Sequence, residues 1–438
     1  MLSAFRSALA TPDLRRKILF TLALIAVYRL GATLPSPGVS YPNIQECIRQ
    51  AEGDGANNIY TLLNLFSGGA LLQLSIFALG IMPYITASII IQLLTVVIPR
   101  FEQLRKEGQS GQGKLTQYTR YLTIALAILQ ATAFTALAVR GQLFQNCTLD
   151  IIPDKGIFGL IVIVITMTAG TAVIMWLGEL ITERGIGNGM SLLIFTMIAA
   201  RIPAEGANIL RQGGVTFTII LVFGLVIIAS VIFVEQAQRR IPVQYAKRMI
   251  GRRMYGGTST YLPLKVNQAG VIPVIFASSL LYLPDLITRL TAGNSTDPSW
   301  WEIFLRDQVV NQRSWVHIAL YFLLIIFFTY FYVAITFNPD ERADEMKKFG
   351  GFIPGIRPGR PTAEYLQFVL SRITLPGSLY LGIIAVLPNF FLGVTGDGQN
   401  QNFPFGGTAV LIMVGVGLDT VKQIESQLMQ RNYEGFLR

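Results

Sequence analysis

The chain has 438 residues, of which 52% are hydrophobic and 14% charged. This balance is typical of a polytopic helical membrane protein and excludes an ordinary soluble domain. Its long uninterrupted apolar runs also exclude a transmembrane β-barrel, whose strands alternate in segments of about ten residues. The net charge of +10 partly reflects the excess of Lys and Arg in cytosolic loops, so it does not by itself indicate nucleic-acid binding.

The first predicted element is a membrane span at about 18–34, preceded by a basic cluster that places the amino terminus in the cytosol. After an acidic external loop, no residue between Asp54 and Arg100 is charged. The first part of this run, 55–70, is too polar and glycine-rich to face lipid, so 60–70 is predicted to be a re-entrant segment over a cavity. The second part, Leu71 to Ile98, is apolar enough to span the bilayer.

Helical spacing within this second span places Ile81, Ile85, Ser88 and Gln92 on one face. The face is apolar near the centre of the span and polar towards its cytosolic end. Two interpretations remain open. The face lines a wetted funnel with an apolar throat, or it is an internal packing face with two satisfied polar residues.

Eight further spans complete the prediction. The third span ends at about 137, and the other seven lie at about 156–177, 190–200, 215–234, 268–287, 316–337, 373–392 and 406–418. We therefore predict an all-α polytopic membrane protein with ten transmembrane helices in two pseudo-symmetric halves, 1–212 and 213–438, and with both termini in the cytosol. The last span of each half is short, and the tenth is expected to stop at Asp419; corresponding short segments of a repeat point to a functional site.

Few residues offer chemistry. Glu179 and Asp419 lie near span ends and are expected to pair locally, and no acid, base or nucleophile groups converge, so no enzyme is predicted. No metal site and no cofactor are expected. The two cysteines, Cys47 and Cys147, both lie in predicted external loops and form either a disulfide or two free thiols. Two further cytosolic loops are predicted at 235–265 and 338–365, and the first carries a large excess of basic residues.

Several strings resemble the SecY family of protein-conducting channels. They are NLFSGGALLQLSIFALGIMPYITASIIIQLL, GELITERGIGNGMS, RRIPVQYAKR, LPLKVNQAGVIPVIFASS, GGFIPGIRPG and FGGTAVLIMV, in the order and spacing of that family. The resemblance runs from about residue 12 to the end. It implies ten helices around a central pore and a passive channel that passes unfolded preproteins across the membrane or sideways into it.

The resemblance also implies the residues of the pore. A ring of apolar side chains would form the constriction, and a plug at about 60–71 would lie below it. The ring residues are Ile81, Ile85, Met190, Ile194, Ile275 and Ile412, and the plug includes Leu65, Phe66, Ser67, Gly68 and Gly69. Met190 departs from the isoleucine usual at its position, although a flexible Met side chain can seal an irregular gap.

The same resemblance implies a lateral gate between the second and seventh spans, with Ser88, Gln92, Asn267 and Ser278 as its polar residues. For Gln92 and Asn267, an interhelical hydrogen bond unrelated to gating is the alternative. The implied surface for the ribosome or a SecA motor comprises Arg239, Arg240, Lys247, Arg248, Arg252, Arg253 and Arg357. Basic loops also bind anionic lipid headgroups, so that alternative stays open.

The implied partners are the SecE and SecG subunits, the SecA motor, the ribosome, signal sequences, nascent polypeptides and the lipid bilayer of the plasma membrane. Two other functions fit the span pattern. A secondary transporter with five-plus-five inverted repeats would need a compact polar or ionic site at mid-membrane. A scaffold or insertase without a through-pore would leave the predicted re-entrant segment without the cavity that it needs.

Overall fold

The structure is a computed structural model that describes residues 11–53, 70–71, 73–139, 141, 149–153, 156–200, 202–203, 206–207, 210, 214–245, 248–250, 253–255, 259–292, 300–310, 314–394 and 407–434. The described chain is mostly helical. Its first part contains α1 (Pro12–Thr33), α2 (Tyr41–Gly53), α3 (Met82–Val97), α4 (Pro99–Lys106), α5 (Gln109–Val139), α6 (Ile157–Arg184) and α7 (Gly189–Ala199).

The second part combines helices with short strands. The helices are α8 (Gly214–Gln236), α9 (Ile272–Ala292), α10 (Trp300–Phe304), a π-helix (Leu305–Val310), α11 (Trp315–Thr336), α12 (Pro339–Lys348), α13 (Arg360–Val394) and α14 (Gly407–Glu434). The strands are β1 (Gln238–Tyr245), β2 (Arg248–Ile250), β3 (Arg253–Tyr255), β4 (Ser259–Lys265) and β5 (Gly351–Phe352).

Within the described residues, five helices are long and apolar enough to cross a membrane: Gln109–Val139, Ile157–Arg184, Phe217–Gln236, Trp315–Lys348 and Arg360–Leu387. The number rises to six when α3 and α4, which meet at a bend of 100°, are counted as one span. The helix α7 and the Ile272–Leu281 part of α9 are shorter apolar helices. These findings support a multi-pass membrane fold, and the ten-span count and its two halves stay predictions.

The second predicted span is only partly helical. Residues 73–80 form successive turns, and helix α3 begins at Met82. The turns pair with the chain after α1, since Ser36 N donates to the Leu74 carbonyl and Ile76 N donates to the Leu34 carbonyl. Hydrophobicity alone cannot separate a buried turn from a helix, because both keep apolar side chains out of water.

The tenth predicted membrane span stops at Asp419, but the helix that contains it is longer than that span. Helix α14 continues through Asp419 to Glu434. A charged residue limits how far a helix can lie in lipid, but it does not end the helix, since backbone hydrogen bonding continues into water. The same reasoning explains why α13 begins at Arg360, well before the apolar stretch that the sequence indicated.

Glu179 and Asp419 were each expected to form an ion pair with a residue nearby in the sequence, and this expectation is wrong. Glu179 accepts two hydrogen bonds from Arg120 of α5, from Nε at 2.9 Å and from Nη2 at 2.7 Å. Asp419 lies 3.3 Å from Lys265 Nζ at the end of β4. Both carboxylates therefore join elements far apart in sequence, because helix packing brings a distant cation closer than any on their own helix.

A three-stranded antiparallel sheet joins the loops 235–265 and 338–365, which the sequence analysis predicted to be cytosolic. Strand β1 lies in the centre, pairs with β4 from Gln238↔Lys265 to Gln244↔Ser259, and pairs with β5 at Gln244↔Phe352 and Tyr245↔Gly351. Its buried side chains join a cluster with α11 and α13 that includes Ile241, Leu264, Val333, Ile353 and Leu366. Strands from two loops that the sequence treated separately therefore form one sheet, which we call the docking sheet.

Helix packing brings the two parts of the chain together at the centre. In the first part α3 packs on α5, and α6 on both α5 and α7. In the second part α9 packs on α11 and α11 on α13. Contacts between the parts include α7 with α14 and α3 with α9. The hydrophobic cluster at this meeting place contains the candidate site.

Candidate functional site

All six predicted ring residues meet at one hydrophobic cluster, which we call the central cluster: four belong to its buried part, and Ile85 and Met190 pack against it. Ile81 caps the amino-terminal end of α3, Ile275 lies on α9 and Ile412 on α14. Ile85, Met190 and Ile194 complete the set from α3 and α7. Four helices thus bring together residues that are up to 331 positions apart in sequence, from Ile81 to Ile412.

The middle of the central cluster is buried. Ile81 is 1% exposed, Ile412 0%, Ile194 5% and Ile275 6%, whereas Ile85 is only partly buried. Branched apolar side chains in contact leave no hydrogen-bond partners for water, so such a closure excludes water and ions by dewetting. The arrangement can therefore seal a path without any polar bond that would have to be broken to open it.

Met190, the residue that departs from isoleucine, packs towards α6. A Cβ built on Gly178 would lie 2.5 Å from Met190 Sδ and 2.9 Å from its Cε, so the thioether occupies the space beside this glycine. The packing is possible because Gly178 has no side chain. Met190 therefore fills a gap between α6 and α7 as well as bordering the central cluster.

A glycine-rich turn holds α7 in this position. Gly187 has a φ of +85°, a conformation that favours glycine. Asn188 caps α7, because its side chain accepts from Met190 N at 3.1 Å and from Ser191 N at 3.4 Å. Gly189 N donates to Thr182 Oγ1 at 2.9 Å, which ties the start of α7 to the end of α6.

The sequence analysis missed the aromatic side of the central cluster. Tyr28 of α1 stacks on Phe77 with ring centroids 5.8 Å apart, and the Phe77 ring lies where a side chain at Gly31 would be. Both aromatic residues belong to the central cluster. A glycine three residues after a tyrosine on one helix was the available signal, but it does not reveal which distant ring fills the space.

The four predicted gate residues make separate local contacts. Gln92 Nε2 donates to Ser88 Oγ at 3.5 Å, and Ser278 Oγ donates to the Ile275 carbonyl at 2.9 Å, so both bonds lie within their own helices. Asn267, in the linker between β4 and α9, donates to Glu235 of α8, so this bond joins two different elements. The helices α3 and α9 themselves are in contact. Their role as a gate stays a prediction.

A polar contact joins the two parts of the chain beside α3. The Arg105 guanidinium of α4 donates to the Ile335 carbonyl in the last turn of α11. Carbonyls of the last helical turn lack intrahelical partners and carry partial negative charge, so an arginine is well suited to this place. The next residue, Lys106, is close enough to Glu341 of α12 for an electrostatic interaction. We call the Arg105 contact the α4–α11 bridge.

The predicted docking residues are found on the docking sheet and beside it. Arg239 and Arg240 are exposed on β1. Arg357 is exposed in a turn between Gly355 and Gly359, whose φ values of +83° and +102° need glycine. Arg248 and Arg253 lie on a β2–β3 hairpin, of which the backbone is described. Lys247 and Arg252 lie outside the described residues.

Two further predictions concern the external side. The plug residues Leu65, Phe66, Ser67, Gly68 and Gly69 lie outside the described residues. Cys47 of α2 is fully buried and disulfide-bonded, which decides between the two alternatives for this thiol. Cys147, the other cysteine of the chain, lies outside the described residues. In the part of the chain that the structure describes, no three potential ligand side chains form a metal cluster.

A buried apolar cluster between the two parts of a multi-pass helical fold is an arrangement by which a membrane channel can exclude water and ions. The SecY family model matches residues 75–421. The chain is 72% identical to the protein translocase subunit SecY of Mycobacterium bovis and 64% identical to that of Streptomyces coelicolor, each alignment covering the whole of both chains. The chain belongs to the SecY family.

Solved structures share the fold. A protein-conducting channel matches with a TM-score of 0.62 at 19% identity, covering 94% of this chain and 91% of that one. Sec61 in a canine ribosome–channel complex matches with a TM-score of 0.59 at 18% identity over the same shares. Membership of the SecY family confirms protein conduction across a membrane as the function, and it excludes the secondary-transporter alternative.

Proposed function

We propose that the central cluster is the constriction through which this chain passes unfolded polypeptide. The observation that carries the proposal is the convergence of Ile81, Ile85, Met190, Ile194, Ile275 and Ile412, from four helices, in one closed apolar cluster. A translocating chain would replace side-chain contacts within the cluster by contacts with itself. Since no hydrogen bond closes the cluster, the exchange needs little specificity for the sequence of the client.

The channel also opens sideways under this proposal. The helices α3 and α9 border the central cluster through Ile85 and Ile275 and are in contact with each other. Separation of these two helices would connect the constriction with lipid, so that apolar signal sequences and membrane segments leave by that route. The α4–α11 bridge joins α4, which contacts α3, to α11, which packs on α9, so it would have to open as well.

Energy and partners come from outside the chain. We place a ribosome or a SecA-type motor on the docking sheet, where Arg239, Arg240 and Arg357 are exposed, and expect SecE and SecG as further subunits. Related solved structures include the yeast Ssh1 complex bound to the 80S ribosome, which matches with a TM-score of 0.64 at 16% identity. We also propose that the chain has ten spans in two halves, that both termini lie in the cytosol, and that the protein is located in the plasma membrane.

The segment at 60–71 is proposed as the plug beneath the constriction. Its position directly before the buried turns at 73–80 supports this, because those turns lead into Ile81. Deletion of 60–70 should raise the resting ion conductance of the purified channel in a lipid bilayer. A scaffold without a through-pore would show no such rise.

The proposal is tested by photo-crosslinking. A photoreactive amino acid is placed at Ile85 or at Ile275, and a secretory chain is stalled halfway through the membrane. Adducts between the stalled chain and both positions are expected. Phe233, which is 79% exposed on α8, serves as a control position outside the central cluster. Adducts at Phe233 without adducts at Ile85 and Ile275 would refute the constriction.

A further inference from the structure

The connection between α9 and α11 carries exposed tryptophans to which the constriction gives no role. Three of the four tryptophans of the chain, Trp300, Trp301 and Trp315, fall between residues 300 and 315. Trp300 is 80% exposed and Trp315 is 77% exposed. Tryptophan is usually well buried in soluble proteins, but it is enriched where a membrane meets water. This clustering therefore indicates a surface that contacts something other than water.

The short helix α10 presents an apolar face. Trp300, Ile303 and Phe304 are all exposed, and their spacing of three and four residues places them side by side on one face of the helix. The apolar face ends before Asp307, which is exposed on the π-helix. An exposed apolar patch bordered by polar residues marks a contact surface for a membrane or for a partner.

The next helix, α11, shows where the lipid ends. The helix begins a candidate membrane span, Trp315–Lys348. Its exposed residues recur every four positions and therefore form one face, which consists of Trp315, Ala319, Leu323 and Phe327. Exposed apolar residues along a membrane span contact lipid, and a tryptophan at the end of such a face lies at the headgroup level. Trp315 therefore marks the boundary between lipid and water.

Packing holds the segment after α10 at the level of Trp315. The π-helix directly follows α10 and packs on both α9 and α11. Val309 of the π-helix is buried, and its carbonyl accepts a hydrogen bond of 2.6 Å from His317 Nδ1. His317 lies in the first turn of α11, two residues after Trp315. The apolar face of α10 is therefore kept close to the lipid boundary.

We propose that four side chains form an interfacial anchor, which inserts into the headgroup region of the external lipid leaflet: Trp300, Ile303, Phe304 and Trp315. Lipid is favoured over a protein partner because the segment packs beside the end of the lipid-facing side of α11. Tryptophan also combines an apolar ring with an N–H donor that reaches headgroup oxygens. The external location rests on the proposed topology, whereas contact with lipid does not depend on it.

The test measures the surroundings of Trp300 by fluorescence quenching. The substitutions Trp176→Phe, Trp301→Phe and Trp315→Phe leave Trp300 as the only tryptophan. The channel complex is reconstituted in vesicles of phosphatidylcholine and phosphatidylglycerol. One quencher is iodide in the water, and the other is a lipid with bromine on its acyl chains. We expect brominated lipid to quench Trp300 more strongly than iodide does, because a ring in the headgroup region is shielded from water and lies close to the acyl chains.

The matched control is Gln45→Trp in a chain whose natural tryptophans are all replaced by phenylalanine. Gln45 is exposed on α2 beside the exposed Glu46, so this face is polar, and iodide should be the stronger quencher there. A second comparison uses Phe304→Asp in the chain that retains Trp300. A charge on the apolar face opposes insertion, so the lipid-to-iodide quenching ratio should fall towards that of the control, whereas Phe304→Leu should leave the ratio unchanged.

Stronger quenching of Trp300 by iodide than by lipid would overturn the anchor, because the patch would then face water. Weak quenching by both would overturn it as well, since another subunit or a second copy of the chain would then cover the ring. If the tryptophan variants do not accumulate in the membrane, a photoreactive amino acid at Ile303 in the otherwise natural chain replaces them. Lipid adducts are expected at Ile303, and adducts at Leu323 of α11 without adducts at Ile303 refute the anchor.

The channel path is tested separately by the crosslinks of a stalled client to Ile85 and Ile275. Client adducts at these two positions together with a water-exposed Trp300 refute the anchor alone. A lipid-shielded Trp300 without client adducts refutes the constriction and leaves the anchor in place.

Discussion

The close approach of α6 and α7 makes Gly189→Ala a sharp test of how the central cluster is built. A Cβ at Gly189 would lie 1.9 Å from the Gly178 oxygen and 2.9 Å from Ile181 Cβ. Non-bonded heavy atoms prefer about 3.5 Å, so the two helices would have to separate by roughly 1.5 Å. Since the obstacle is backbone, we expect a loss of about 3 kcal/mol, at the upper end of the range for overpacking.

The control is Gly178→Ala on the facing helix. Its Cβ would meet the Sδ and Cε atoms of Met190 at 2.5 and 2.9 Å, but these atoms end a flexible side chain that can rotate away. We expect a loss of only about 1 kcal/mol. Denaturant unfolding of the purified variants in detergent measures both. Equal losses, or a Gly189→Ala variant as stable as the wild type, would refute the packing argument.

Three further predictions address the ion pair, the α4–α11 bridge and the constriction. Glu179→Gln should lower the free energy of unfolding by about 1–3 kcal/mol, because Arg120 loses a charged partner; unfolding in denaturant measures this, and no loss would contradict it. Arg105→Ala should raise transport of a substrate whose signal sequence is weakened by a polar substitution, since the Ile335 carbonyl loses its donor, and an unchanged rate would show that the contact does not hold α3 and α9 together. Ile412→Asn should raise the resting ion conductance, because a buried amide without partners invites water, whereas Ile412→Leu should not.

The sequence alone determined which segments are apolar and where some of them end. Long apolar runs give membrane helices because the backbone must satisfy its own hydrogen bonds in lipid. The turn at 185–189 was predictable because glycine and asparagine have local conformational and capping preferences that no distant contact overrides. The six constriction residues were identified from the resemblance to the SecY family, because helical spacing within one span could relate only Ile81 to Ile85.

The pairing of distant groups was decided by the tertiary structure. Nothing in the sequence near Glu179 identifies Arg120 as its partner, and nothing near Glu235 identifies Asn267. The docking sheet was missed for the same reason, because β1 and β5 are separated by about a hundred residues and a strand of two residues has no detectable period. Local chemistry sets conformation along the chain, whereas electrostatic and packing partners depend on which surfaces the fold brings within a few ångströms.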